Sequence, residues 1–276
     1  MSILTALLYG IIQGFSEFLP VSSSGHLALL PFLMELKDPG VVFDLCMHLG
    51  TGLAVIIYFR KRIVELIRDL VPALMAPRSE TPNHHFIRNF ILATVTSVAF
   101  IFALKDISEQ ARNPWVIAFN QAVFGLVLWW ADTVQRRSHN AEKSSGFFSR
   151  ALRWQDALII GAAQSIAIFP GVSRSGITLS AAFLRGIDRA EAGAFSFLLS
   201  IPVIFGGVVL EIPEIVQGIQ TGEQSLPVMV TGILVSFMVG LATIHFFMTL
   251  IARIQLVWFT GYRLVLALIL VGLLLN

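Results

Sequence analysis

Residues 10–26 read GIIQGFSEFLPVSSSGH and residues 161–178 read GAAQSIAIFPGVSRSGIT. The second stretch repeats the first. Gly10, Gln13, Phe18, Val21, Ser22, Ser24 and Gly25 recur at one constant offset as Gly161, Gln164, Phe169, Val172, Ser173, Ser175 and Gly176. Each copy is a short apolar stretch, a proline (Pro20 or Pro170), a serine-rich turn and a second short apolar stretch. The copies differ where chemistry would reside: Glu17 stands against Ile168, Ser23 against Arg174 and His26 against Ile177. A duplicated scaffold with specialised polar residues suits a two-sided site inside a membrane.

Composition sets the class. Of 276 residues, 56% are hydrophobic and only 13% charged, with a mean hydropathy of +0.79. Soluble domains carry about 25% charged residues. A chain so poor in charge, with several apolar runs near 20 residues, is a polytopic helical membrane protein. The single cysteine, Cys46, excludes an internal disulfide and a thiolate cluster. No basic region precedes the first apolar stretch, so no cleavable signal is expected. No nucleic-acid partner is expected either; the medium is the lipid bilayer.

Six stretches suit full crossings: Val42–Phe59, Ile87–Leu104, Trp115–Val134, Glu191–Leu210, Pro227–Leu250 and Leu256–Leu275. Four others, Ile3–Leu19, Gly25–Met34, Gln155–Phe169 and Gly176–Gly186, are too short for a ~30 Å core, which needs roughly 20 helical residues. Each pair is split by a Pro/Ser/Gly turn and reads as a re-entrant hairpin. Non-helical backbone at that depth is tolerated only inside protein or beside a wet cavity.

Loop charges orient the spans. With one hairpin and three crossings per half, one side collects Arg60, Lys61, Arg62, Arg68, Arg78, Arg88, Arg136, Arg137, Lys143, Arg150, Arg153, Arg185, Arg189, Arg253 and Arg263. The other collects Lys37, Lys105 and Arg112, with seven acidic residues. The basic side is then cytoplasmic, and both termini lie outside the cytoplasm. Three crossings is an odd number, so the halves run in opposite senses. The fold class is therefore an all-α polytopic membrane protein, with six transmembrane helices plus two re-entrant hairpins in an inverted-topology repeat. One membrane domain, residues 1–276, contains halves 1–135 and 154–276, joined by a polar cytoplasmic linker at 136–153. The hairpin tips should meet near the midplane.

At the tips, Gln13 and Glu17 share one helical face. Ser22, Ser23 and Ser24 make the first turn, and His26 sits in the first turn of the next helix. Ser173, Arg174 and Ser175 make the second turn, with Thr178 one turn on. Two helix N-termini with capping serines attract an anion. Arg174 adds a planar, permanently charged fork suited to phosphate. Ser-Gly turns cap helices in many proteins, so the serines alone carry little. Ionisable Glu17, His26 and Arg174 inside membrane segments are functional candidates by default. Asp44 and His48, four apart, are either support for the site or a local helix-end pair. His84 and His85 read as a solvated loop, and His245 as a helix-packing residue. Trp129, Trp130 and Trp258 read as interfacial anchors.

These strings carry a family resemblance. Residues 13–26, QGFSEFLPVSSSGH, and 169–178, FPGVSRSGIT, are similar to the two signatures of the bacitracin-resistance type undecaprenyl-diphosphatases. Residues 43–51 and 195–202 also resemble family segments, so the likeness runs nearly the whole chain in order. It implies a bacterial plasma-membrane enzyme that converts undecaprenyl diphosphate to the monophosphate, recycling a lipid carrier for cell-wall synthesis and conferring bacitracin resistance. It also implies a divalent cation, Mg²⁺ or Ca²⁺, and a site opening to the outer face. Some members carry glutamate at the position of Gln13, so here Glu17 is the one metal carboxylate of that pair, helped by phosphate oxygens, Gln13 or water.

The expected roles follow. Glu17, Ser23, His26 and Arg174 are the catalytic candidates. Ser22, Ser24, Ser173, Ser175, Thr178, Gln13 and Gln164 are candidates for holding phosphate. Ser23 is the favoured nucleophile, activated by His26 or Glu17. A His26 nucleophile and direct attack by water both stay open. The alternative function is a polyprenyl-phosphate transporter using the same inverted-repeat anion site. A homodimer is left open. The acid-phosphatase-like lipid phosphatases share Ser24-Gly25-His26 but need a histidine after Ser-Arg, where this chain has Thr178 and Leu179.

Overall fold

The computed structural model describes residues 2–34, 38–76, 81–111, 113–138, 152–221 and 225–275. All regular structure among them is helical. The first half runs α1 (Ile3–Ser16), α2 (Ser23–Met34), α3 (Val41–Tyr58), α4 (Arg60–Met75), α5 (Pro82–Gln110) and α6 (Pro114–Ser138). The second runs α7 (Trp154–Ser165), α8 (Arg174–Leu184), α9 (Arg189–Leu210), α10 (Ile212–Gln220), α11 (Leu226–Leu250) and α12 (Val257–Leu275). A 3₁₀ turn, Ile166–Ile168, extends α7. The inter-half linker falls mostly on 139–151, outside the described residues; 136–138 close α6, and Arg153 precedes α7.

Five helices (α5, α6, α9, α11 and α12) are long and apolar enough to cross a membrane, and α3 makes a sixth when counted with α4, from which it is bent by 79°. The short helices match the expected hairpins. At 1.5 Å per residue, α1 and α2 reach only about 20 Å.

Two helices were not foreseen. In α4, Val64, Ile67, Val71 and Leu74 are exposed on a helix that also carries Arg60, Lys61 and Arg68. Its mean hydropathy is too low for a span, so the hydropathy of the sequence passes it over. The second, α10, is its counterpart in the other half; Glu211 precedes it and Pro213 lies in its first turn. His84 and His85 also depart from expectation. They lie in the first turn of α5, which Pro82 opens at a position where a missing N–H costs nothing.

The halves interlock. Hairpin helix α1 packs on α11 of the second half, and α7 packs on α5 of the first. Likewise α3 packs on α11 and α5 on α9. This reciprocal exchange is what a two-fold relation between the halves requires. The repeated glycines explain it. A Cβ on Gly10 would lie 2.9 Å from the Gly232 carbonyl oxygen of α11, and one on Gly161 would lie 2.4 Å from the Ala93 carbonyl oxygen of α5. Behind each glycine a serine from the partner helix closes the contact. Ser236 donates to Gly10 O at 3.4 Å, and Ser97 donates to Gly161 O at 2.8 Å. Small residues admit such close backbone approach in membranes, where no hydrophobic drive pushes helices together.

Two arginines counted with the loop charges are buried instead. Arg189 pairs with Asp132 of α6 and donates to the Ile251 and Ile254 carbonyls ahead of α12. Arg263, in the middle of α12, is fully buried. Its partners are backbone carbonyls from distant parts of the chain, which no sequence pattern displays.

Gly161→Ala should destabilise the protein by about 1–3 kcal/mol through overpacking against α5. Gly206→Ala, where no atom lies within 4 Å of the added Cβ, should stabilise slightly through helix propensity. Thermal unfolding in detergent distinguishes them, and equal behaviour would refute the close-approach account.

Candidate active site at the junction of the two hairpin tips

In the first tip, α1 ends at Ser16, and Glu17 follows with its N–H on Gln13 O at 3.0 Å. The chain then turns through Leu19, Pro20 and Val21 before α2. In the second, the 3₁₀ turn leads through Phe169, Pro170 and Gly171 to α8. Ser22 (φ 75°) and Ser173 (φ 73°) are the two non-glycine residues with positive φ among the described residues, and they are repeat equivalents. Such conformations cost on the order of 1–3 kcal/mol each and cluster at functional sites. Each hydroxyl caps the helix that follows. Gly25 N–H donates to Ser22 Oγ at 3.3 Å and Gly176 N–H to Ser173 Oγ at 3.1 Å. Ser24 Oγ lies 3.4 Å from Ser22 Oγ, and Ser175 Oγ 3.3 Å from Ser173 Oγ.

The tips touch. Ser175 Oγ donates to Leu19 O at 3.1 Å, and Arg174 forms an ion pair with Glu17 Oε1. Glu17 is buried, and its other oxygen gathers the remaining polar groups. Ser23 Oγ donates to Glu17 Oε2 at 2.5 Å and Gln13 Nε2 donates to it at 3.0 Å. His48 Nε2 lies 3.4 Å from the same oxygen. The Nδ1–H of His48 donates to Asp44 O at 2.7 Å, which fixes the ring. His48 is thus a neighbour of the site, whereas its contact with Asp44 runs to the backbone. Thr51, one turn further along α3, receives Gln13 Nε2 at 3.3 Å.

A narrow crevice, with room for little more than a water molecule, lies beside this group, lined by Glu17, Phe18, Arg174, Ser175, Ser196 and Ser200 among others. Thr178 stands behind it, with Oγ1 2.5 Å from Ser196 Oγ and donating to Arg174 O at 2.7 Å. Two candidates lie elsewhere. Gln164 donates to Ser97 Oγ at 3.0 Å and to Leu199 O at 3.3 Å, tying α7 to α5 and α9. Both ring nitrogens of His26 are engaged away from Ser23. Nδ1–H donates to Ser22 O at 2.7 Å, and Nε2 meets Tyr262 Oη at 2.6 Å. The rings of His26 and Tyr262 stack at 5.7 Å.

The arrangement places a serine hydroxyl on a carboxylate and an arginine on the other carboxylate oxygen. Glu17 can accept the Ser23 proton as that hydroxyl attacks phosphorus, and the Arg174 guanidinium on the other carboxylate oxygen attracts phosphate. Residues the sequence did not single out are Thr51, Ser196, Ser200, Tyr262, Arg263, Asn120 and Gln121. The Ser196 and Ser200 spacing of one helical turn was the visible hint. The others reach the site from helices that read as plain crossings.

The family model for bacitracin resistance protein BacA matches residues 6–269. An undecaprenyl-diphosphatase 2 of Stutzerimonas stutzeri is 39% identical over 271 residues, covering 98% of this chain and 97% of the relative. An undecaprenyl-diphosphatase of Moorella thermoacetica is 37% identical over 273 residues, covering 99% and 98%. The chain belongs to the bacitracin resistance protein BacA family.

Arg174→Met strands the Glu17 carboxylate in a buried setting and should cost about 3–5 kcal/mol of stability. Adding Glu17→Gln should restore most of it. Thermal unfolding of the single and double variants in detergent checks this, and a double variant no more stable than Arg174→Met would refute the pairing.

Proposed function

We infer that the chain hydrolyses undecaprenyl diphosphate to undecaprenyl phosphate and inorganic phosphate. The activity is a hydrolase's, acting on a phosphoric anhydride in a membrane. It recycles a lipid carrier for the cell wall, and bacitracin resistance follows from that recycling. The observation that carries the mechanism is the 2.5 Å hydrogen bond from Ser23 to Glu17, with Arg174 on the other oxygen, at the meeting point of two helix N-termini.

The diphosphate docks between the tips, with its prenyl chain leaving sideways into lipid. Arg174 and the amide ends of α2 and α8 bind phosphate oxygens. Ser23 Oγ bonds the terminal phosphorus while its proton passes to Glu17 Oε2. The bridging P–O bond breaks, and undecaprenyl phosphate leaves. Water then attacks the phosphoserine while Glu17 returns the proton to Ser23 Oγ, releasing inorganic phosphate and restoring both the hydroxyl and the carboxylate. The transition state is loose, so most of the catalysis is positioning and charge neutralisation. Glu17 is favoured over His26 as the base because the ring nitrogens of His26 are bonded to Ser22 O and Tyr262.

The residues present fit a divalent cation that arrives with the diphosphate. Among the described residues no three His, Cys, Asp or Glu side chains form a ready cage. Gln13 Oε1 is buried without a hydrogen-bond partner next to Glu17, which offers a second hard oxygen. Glu17 and Gln13 would hold such a cation together with phosphate oxygens, the arrangement Mg²⁺ favours. Once bound, it neutralises phosphate charge. The setting is a bacterial plasma membrane with both termini outside the cytoplasm and the site open to the outer face, as the loop charges and the family likeness suggest.

Purified protein in detergent should release phosphate from undecaprenyl diphosphate with Mg²⁺ and lose that release in EDTA. Glu17→Ala and Arg174→Ala should each abolish it. No release from folded protein with any divalent cation would overturn the assignment and favour the carrier reading, with lipid flipping in vesicles as the next assay.

Ser23→Ala should lower turnover by several orders of magnitude while the protein stays folded, as nucleophile loss does in other hydrolases. Near-normal turnover in that variant would sink the covalent serine and favour direct attack by water.

A further inference from the structure

Beneath the two strained serine turns lies a set of buried donors that the reaction itself does not use. Asn120 and Gln121 are neighbours on α6, and Arg263 faces them from α12; all three are buried, Arg263 completely. Gln121 Nε2 donates to Val21 O of the first turn at 3.1 Å. Asn120 Nδ2 donates to Pro170 O of the second turn at 2.8 Å. Arg263 reaches both, donating to Pro20 O at 3.3 Å, Gly171 O at 2.8 Å and Val172 O at 3.1 Å. The same guanidinium donates to Gln121 O at 3.1 Å and Asn120 O at 3.3 Å, so it also fixes the helix that presents the two amides. Among the described residues, no carboxylate is one of its hydrogen-bond partners.

We propose that Asn120, Gln121 and Arg263 form a positioning platform that sets the two turns for catalysis, Gln121 serving the first, Asn120 the second and Arg263 both. The proposal rests on the diphosphatase reading of the site. Its physical basis is the peptide plane. In a trans peptide the N–H points opposite to the C=O. Holding Val21 O and Val172 O on the platform therefore turns the amides of Ser22 and Ser173 away from it. Those are the two non-glycine residues at positive φ among the described residues, and strained backbone persists only where its surroundings over-determine it. Hydrogen bonds to a charged guanidinium are the stronger kind.

The division of labour makes the platform separable from a plain structural tie. The first turn carries the Glu17–Ser23 pair, which performs the bond-breaking step. The second carries Arg174, which holds phosphate. Gln121→Met removes the donor to the first turn with little change in volume and should lower kcat on the order of tenfold, with KM little changed. Asn120→Ala removes the donor to the second turn and should raise KM on the order of tenfold, with kcat little changed. Both are measured as phosphate release from undecaprenyl diphosphate with Mg²⁺, beside thermal unfolding in detergent. Arg263→Lys, which keeps the charge but not the fork, should damage both parameters. The split between kcat and KM supports the platform. Wild-type kinetics in both amide variants overturns it, as does an equal loss of both parameters that follows a fall in unfolding temperature. An inactive wild-type protein would instead overturn the diphosphatase reading on which the platform depends.

Discussion

Broken backbone at membrane depth must find its hydrogen bonds inside the protein, because lipid offers none. That constraint shapes the centre of this molecule. The two turns expose the carbonyls of Leu19, Pro20 and Val21 on one side and of Pro170, Gly171 and Val172 on the other. Ser175, Arg263, Gln121 and Asn120 satisfy them. Since Ser175 and Arg263 of the second half hold the first turn and Asn120 of the first half holds the second, neither turn is satisfied without the other half docked. The exchange of α1 and α7 between halves follows the same logic. The duplicated sequence folds as one body, because each half completes the other's backbone.

The same dependence extends to charge. A buried carboxylate is stable only when paired and hydrogen-bonded. Glu17 meets that condition with Arg174 on one oxygen and Ser23 and Gln13 on the other. Its cation comes from the opposite hairpin. The base of the proposed reaction is therefore paired and aimed only once the halves are joined, and the arginine proposed to bind phosphate is held in place by the carboxylate it would work beside.

Much of this was legible in the residues. The crossings, the four short helices and the meeting of the tips follow from apolar length, loop charge and a repeated motif. Glu17, Ser23 and Arg174 stood out as polar groups in apolar surroundings, and the structure brings these three together. Sequence spacing could not separate Glu17 from His26 as the partner of Ser23, because Tyr262, which occupies His26, is far away in the chain. Arg263 escaped for the same reason. A charge in a span can signal a loop, an ion pair or a carbonyl clamp, and its partners at Pro20, Gly171 and Val172 are known only once the chain is folded. Amphipathic α4 was passed over because its charged face cancels its apolar face in any hydropathy average.

Two-fold symmetry also explains why the tips had to diverge. Glu17 and Arg174, which are not repeat equivalents, face each other across the junction of the two tips. Two arginines, or two carboxylates, across this junction would repel in a setting of low dielectric and leave buried charge unpaired. Glu17 therefore stands where the second copy has Ile168, and Arg174 stands where the first has Ser23. With one charged residue per tip, the junction holds a single cross-tip ion pair. Ser23, the repeat counterpart of Arg174, lies within hydrogen-bonding distance of the carboxylate. The scaffold that needed symmetry kept it, in Gly10 and Gly161, Ser22 and Ser173, Gly25 and Gly176. The charged groups Glu17 and Arg174 stand where the copies differ.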